Sequence, residues 1–419
     1  MSDTVNKTAA IIETVKTQAA GLQDEITAVR REIHRFPERG QRLPKTKAFV
    51  MEKLREYGYE PKEICESGFV AEISGKQSGR TLLLRADMDA LPVEEKAECD
   101  FRSENDCMHA CGHDMHTAML LGAAKLLRQN QDLLQGTVKL VFQPDEEGFT
   151  GAKAMLAAGV LENPKVDAAL MIHVMAGMPF PAGTVIVSNP GVSAPAADYF
   201  TITVQGKGCH GSSPNNGVDP ITVAAHIITG LQEINARELA ISDEAVITLG
   251  RIQGGNAGNV IPDQVEMEGT IRTYDEEVRE FIKTRLEEMC AGIAASFRAE
   301  ARVSFGSGCP TLVNDKALAE DALSYLQELL GKEKAFSTAQ LTAMAGDSKA
   351  SKSAGSEDFA YVSHKVPSIM LALAAGQPEK GFCYPQHHPK VKFDEEALPT
   401  GAAVYAYTAM RWLEEHGSK

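Results

Sequence analysis

Six segments between Tyr199 and Phe305 constrain this chain more than any other feature, because their order makes a closed unit. The patterning predicts a strand at Tyr199–Val204, a helix at Ile221–Ile234 and strands at Ala245–Ile252 and Gln264–Thr273. A helix at Glu276–Ala295 and a strand at Ala301–Phe305 complete the run. This βαββαβ order is the split-βαβ, ferredoxin-like pattern, a complete small domain by itself. On either side strand and helix alternate. Helices are predicted over Thr4–His34, Lys45–Tyr57, His116–Gln129 and Ala152–Ala158, with strands at Phe69–Ser74, Thr81–Arg85, Thr137–Phe142 and Ala168–Ile172. After the insert come a helix at Leu318–Leu330, a strand at Ser368–Ala374 and a last helix at Glu395–Glu415. The whole reads as one discontinuous α/β domain, residues 1–195 and 307–419, interrupted by a βαββαβ domain at 196–306.

A chain of 419 residues is long enough for both domains and a large core. Its net charge of -15 disfavours nucleic acid and anionic membranes as partners, though not a small anionic substrate. No apolar run reaches membrane-spanning length. The first residues, MSDTVNKTAAIIETVKTQ, lack a basic start followed by an apolar block, so the expectation is a cytoplasmic protein. Eight cysteines scattered through so long a chain form no compact disulfide framework and are expected to be free thiols.

Chemistry concentrates at Met108–His116, which reads MHACGHDMH and offers one cysteine, three histidines and an aspartate. Cys111 and His113 flank a glycine at a helix start, so a thiolate and an imidazole can address one ion. QPDEEG follows the strand ending at Phe142, putting Glu146 and Glu147 where open α/β sheets place ligands. Adjacent residues cannot both face one ion equally; one can coordinate while the other serves as general base. Taken alone, this segment reads more readily as a solvated acidic turn. His173 closes the strand AALMIH, and His387 lies in the proline-flanked loop PQHHPK. Cys, Glu and three His would be a five-donor set, more than one zinc takes and suited to two ions. Two glycine-rich loops of the insert hold His210 and Asn259, and by themselves these are ordinary turns.

In order along the chain, REIHRFPE, RADMDALPV, MHACGHDMHTAMLLG, VFQPDEEG, GKGCHGSSP, GNVIPD, EGTIR, GSEDFA and HHPKVKFDEEALPTGA resemble the dinuclear metallopeptidase family of aminoacylases and glutamate-type carboxypeptidases. The match is to its amidohydrolase branch. The resemblance implies a zinc-peptidase-like α/β catalytic domain whose inserted domain is a lid that forms a homodimer, or a tetramer. It implies two divalent ions, zinc or manganese with cobalt or nickel also suited, on Cys111, His113, Glu147, His173 and His387. It makes Glu146 the general base, His210 of a partner's lid the oxyanion donor and Asn259 a contact to the substrate's carboxylate. Asp87 and Asp89 would support the ligands rather than bind metal, and His109, Asp114 and His116 would belong to the surroundings or the helix start.

The implied reaction is hydrolysis of an N-acyl or N-aroyl amino acid to a carboxylic acid and a free amino acid. An N-acetyldiaminopimelate-type deacetylase is the nearest alternative, a carboxypeptidase or dipeptidase the next, and a catalytically silent, metal-stabilised binding protein the alternative from another class. The chain departs from the family pattern at Asp145, where QPDEE replaces QPAEE: the added carboxylate either raises the pKa of Glu146 or faces solvent. At the last ligand His387 is the better match and His388 the fallback. Met171, Met175, Met178 and Phe180 near His173 tilt the expectation toward an apolar or aromatic acyl group.

Overall fold

The computed structural model describes residues 2–344 and 355–417, which form two compact units. One comprises Met1–Ser193, Val313–Lys352 and Tyr361–Lys419; the other comprises Ala194–Leu312 and Ser353–Ala360. The sequence reading left all of 307–419 with the first unit. Residues of the GSEDFA motif instead group with the second, where Arg272 donates to the Ser356 hydroxyl.

The first unit is built on an eight-stranded sheet. Its centre is four parallel neighbours, Thr137–Gln143, Thr81–Asp87, Ala168–Met175 and Ser368–Ala374. Thr81–Asp87 is buried at every position, as a strand covered on both faces must be. The helices His113–Gln129 and Leu398–His416 pack together and are buried over most of their length, and Gln23–Arg35 packs on the former. Two short strands, Val185–Val187 and Ala335–Ser337, complete one side of the sheet; three residues each are too few to announce themselves by periodicity.

One predicted element is corrected. The continuous helix over Thr4–His34 is two, Ser2–Ala20 and Gln23–Arg35. The break comes at Gly21, a poor helix former, and at the buried Leu22, whose carbonyl accepts from Ile26 to start the second helix. Two central strands run further than their predicted limits. Thr81–Asp87 and Ala168–Met175 each continue past the last aliphatic residue of the pattern, and the polar residues Asp87 and His173 lie on the added turns of chain.

Where they continue, the two strands part. Their last paired residues are Arg85 and Met171. Beyond that point two side chains stand between the strands. The Tyr405 hydroxyl donates to Arg85 O at 2.7 Å and accepts from Ile172 N at 2.9 Å. One step further, His116 Nε2 accepts from Val174 N at 2.9 Å, so its proton is on Nδ1, which donates to Asp87 Oδ1 at 2.6 Å. The strands are thus held open at their C-terminal ends with every bridged group satisfied.

The second unit is a four-stranded antiparallel sheet in the order Ala245–Gly254, Gln264–Thr273, Ala196–Gln205, Glu300–Cys309. Its helices are Pro220–Gly230 and Glu276–Ser296. Asp219 and Asp275 cap their N-termini. Ile282, Leu286, Cys290 and Ala294 form a stripe at fourfold spacing that packs on the sheet with Phe200, Ile202 and Val204.

Tyr405→Phe is expected to remove the hydroxyl that Ile172 N–H and Arg85 C=O share and to lower stability by about 1–3 kcal/mol, read from the urea midpoint. His116 gives a pH signature, since burial brings its pKa down to about 4. Between about 6.5 and that value the unfolded chain takes a proton that the folded one does not, so stability falls as pH drops through this window. Urea titrations at stepped pH should show this slope.

Candidate metal centre

The parted strand ends carry the site. Asp89, two residues past the end of its strand, accepts from Glu146 N at 3.0 Å and Glu147 N at 3.2 Å, which sets the turn bearing both carboxylates. Asp87 accepts from Arg85 Nη1 at 2.7 Å, and Arg85 also donates to Gln143 Oε1. Asp87 and Asp89 are both completely or almost completely buried. Asp145 takes a left-handed backbone, φ 52°, and its carboxylate is turned to Gln41 and the Thr150 hydroxyl.

The Cys111 loop enters from the other side. Gly112 has φ 96°, and a Cβ there would lie 2.5 Å from Val174 Cγ2, so conformation and space both demand glycine. The helix it starts places His113 with Nδ1 donating to Asp89 O at 2.9 Å. That bond puts the lone pair on Nε2, which is buried and makes no hydrogen bond. His173 is set the same way, Nδ1 donating to Val174 O at 2.7 Å and Nε2 lying 3.5 Å from Cys111 Sγ. His387, at φ 65°, is tied by its N–H to Ala110 O, and its Nε2 lies 3.2 Å from Glu147 Oε1.

Donor atoms of Cys111, His113 and His173 lie within 4.8 Å of one another, as do those of Cys111, Glu147 and His387. Cys111 belongs to both groups. Donors on one tetrahedral zinc stand about 3.6 Å apart for sulfur and nitrogen and about 3.3 Å for nitrogen and oxygen. The 3.5 Å and 3.2 Å separations match those edges, and the bare His113 Nε2 is the further sign that these residues fit metal. Glu146 stands beside this set, Oε2 3.8 Å from His113 Nε2.

Electrostatics agree with a site made for cations. Burial opposes the Cys111 thiolate, but His173 and His113 bring its pKa down to about 6. Burial likewise opposes ionised Glu147, yet His387 holds its pKa below the usual carboxylate range. Cys111 and Glu147 in turn push His387 up to about 10.

Several neighbours are placed differently from the ligands. Both ring nitrogens of His116 are engaged by backbone and Asp87, which leaves it no lone pair for an ion. His109 is fully buried with both ring nitrogens unbonded. Asp114 faces away, accepting from Arg30 and bonding His34. His388 stacks on Tyr384 with centroids 4.4 Å apart and accepts from Lys390 N, so its ring is committed elsewhere. Of the four apolar candidates near His173, Met171 is core, its sulfur accepting from Arg85, and Met175 lies against Gln386. The signals missed in the sequence are Arg85, Arg30 and His34, long-range partners that no local spacing reveals.

In the second unit His210 and Asn259 are exposed and close together. Cys209–His210 pairs with Val260–Ile261, and Asn259 O accepts from Gly211 N at 2.8 Å. His210 Nδ1 accepts from Ser212 N, which leaves the proton on Nε2 as an outward donor.

Residues 83–411 match peptidase family M20/M25/M40. The chain is 36% identical to thermostable carboxypeptidase 1 of Saccharolobus solfataricus, over 96% of this chain and 99% of that one. It is also 36% identical to N-acetylcysteine deacetylase of Bacillus subtilis, over 92% and 96% of the two chains. Among solved structures it resembles a dinuclear metal-binding M20 peptidase of Bacillus subtilis, with TM-score 0.74, 33% identity and coverage of 94% and 99%. Among the described residues no helix is long and apolar enough to cross a membrane. The chain therefore belongs to peptidase family M20/M25/M40 and is a metal-dependent amidohydrolase.

Proposed function

We propose that the protein hydrolyses the amide bond of an N-acyl or N-aroyl amino acid, with Glu146 as general base and two divalent ions on Cys111, His113, Glu147, His173 and His387. The ions, zinc or manganese with cobalt or nickel also suited, supply Lewis-acid polarisation of the carbonyl and a lowered pKa for water. Glu146 carries the reading: it meets His113 and Glu147, its Oε2 3.8 Å from His113 Nε2 in a turn held by Asp89, while Glu147 also meets Cys111 and His387. From there it takes the proton of the attacking water and delivers it to the departing amine nitrogen.

His210 donates from Nε2 to the developing oxyanion, and the Asn259 amide holds the substrate's carboxylate. The second unit acts as lid and dimer contact, a partner's lid supplying His210, and its closure excludes water from the reaction. Exposure of both residues on one short ribbon supports these roles. Met178 and Phe180, both partly exposed, favour an apolar or aromatic acyl group. The carboxypeptidase relative supports a second reading, release of a C-terminal amino acid from a peptide, by the same proton transfers.

Glu146→Gln should lower kcat by about 10²–10⁴-fold on N-acyl amino acids while metal content, measured by plasma mass spectrometry, stays at the wild-type level. A near wild-type rate would remove Glu146 from the mechanism. His387→Ala should lower metal content and His388→Ala should not; the reverse pattern would reassign the ligand. Acetyl, benzoyl and longer acyl conjugates, run beside blocked dipeptides, separate the two substrate readings.

A further inference from the structure

Away from the dinuclear centre, a second set of donors meets at His34, Glu95 and Cys99. His34 lies near the end of the helix Gln23–Arg35, and Glu95 and Cys99 lie in the chain that follows Asp89. One donor atom from each lies within 4.8 Å of the other two. The His34 and Glu95 side chains are 3% and 2% exposed, while Cys99 is partly open to solvent and marks a way in.

The separations fit one ion. His34 Nε2 is 3.2 Å from Glu95 Oε1, and Cys99 Sγ is 3.6 Å from the same oxygen. Tetrahedral zinc would hold nitrogen and oxygen about 3.3 Å apart and sulfur and oxygen about 3.5 Å apart. The yardstick is the one that Cys111, His173, Glu147 and His387 meet.

Independent support comes from behind the imidazole. His34 Nδ1 is 2.7 Å from Asp114 Oδ2, inside the molecule. Metal-bound histidines are held in this way, with one ring nitrogen donating to a carboxylate and the other presented to the ion. Asp114 is itself fixed by Arg30 Nε at 2.6 Å and by Met115 N at 2.9 Å. Glu95 is fixed by Ser103 N at 2.7 Å. Phe101 lies edge-on to the His34 ring at 5.3 Å. The Arg30 guanidinium also approaches His34, and its charge is taken by Asp114 and Glu395.

We propose that His34, Glu95 and Cys99 form a further divalent-cation site, separate from the dinuclear centre and suited to zinc or cadmium. Thiolate, imidazole and carboxylate together select such borderline to soft ions. Binding displaces the proton of Cys99 Sγ and the proton on His34 Nε2 to solvent, and the charges of the Glu95 carboxylate and the Cys99 thiolate balance the ion. Water completes the coordination. This site takes one ion beyond those of the dinuclear centre.

Zinc titration of chelator-stripped protein against a competing chromophoric chelator tests this. Wild type should take up one equivalent more than Cys99→Ser and one more than Glu95→Gln, and Cys99→Ser should keep full hydrolytic activity. Zinc at the higher loading should also slow alkylation of Cys99, read by peptide mass spectrometry. Equal zinc uptake by wild type and Cys99→Ser, with Cys99 alkylation unchanged by zinc, overturns the proposal. Cys99→Ser decides alone if Glu95→Gln does not fold. The two centres share no residue, so the difference between wild type and Cys99→Ser reads this site whatever the dinuclear centre holds or does.

Discussion

The parting of two central parallel strands beyond Arg85 and Met171 is the constraint on which the rest of the first unit depends. Parallel strands that stayed paired to their ends would leave no crevice, and strands that parted unsupported would bury bare N–H and C=O groups. Tyr405 resolves this as surrogate partner to Arg85 C=O and Ile172 N–H, and His116 as partner to Val174 N–H. Each comes from a buried helix, so the width of the opening is set by helix packing rather than by the loops around the crevice.

That opening orders the chemistry. His116 is spent on Val174 N and the Asp87 carboxylate, which removes the last histidine of MHACGHDMH from metal binding and fixes Asp87 beside it. His113 and His173 are each oriented by an Nδ1–H bond to a carbonyl, so their Nε2 atoms are presented before any ion arrives. Asp89 holds the Glu146–Glu147 turn through two backbone N–H groups. Both carboxylates thereby meet His113, and Glu147 also meets Cys111 and His387. Asp145, the departure from the family pattern, is held by Gln41 and Thr150 on the far side of that turn.

Much of this was legible in the sequence, and the reasons differ by element. The strand Gln264–Thr273 and the strand Ser368–Ala374 coincide with their predicted limits because apolar patterning and turn residues bound them sharply. The strand ends at Asp87 and Met175 were not legible, since a polar residue, Asp87 or His173, interrupts the apolar run there. The helix break at Gly21 was hidden because the apolar spacing runs through it. At the site, residue types and motif order marked Cys111, His113, Glu146, Glu147, His173 and His387, but a five-donor set in a sequence is only an inventory.

The sequence by itself determined the family, the βαββαβ insert, the amidohydrolase chemistry and which residue types could serve it, because these rest on local pattern and on motifs whose order is preserved. Only the tertiary structure decided which histidines have a lone pair to give. That depends on what the other ring nitrogen touches, and the partners are backbone groups and carboxylates remote in the chain: Val174 for His116, Asp89 for His113, Lys390 and Tyr384 for His388. The same holds for His34, which meets Glu95 and Asp114 only because the helix Gln23–Arg35 packs on the helix that starts at His113.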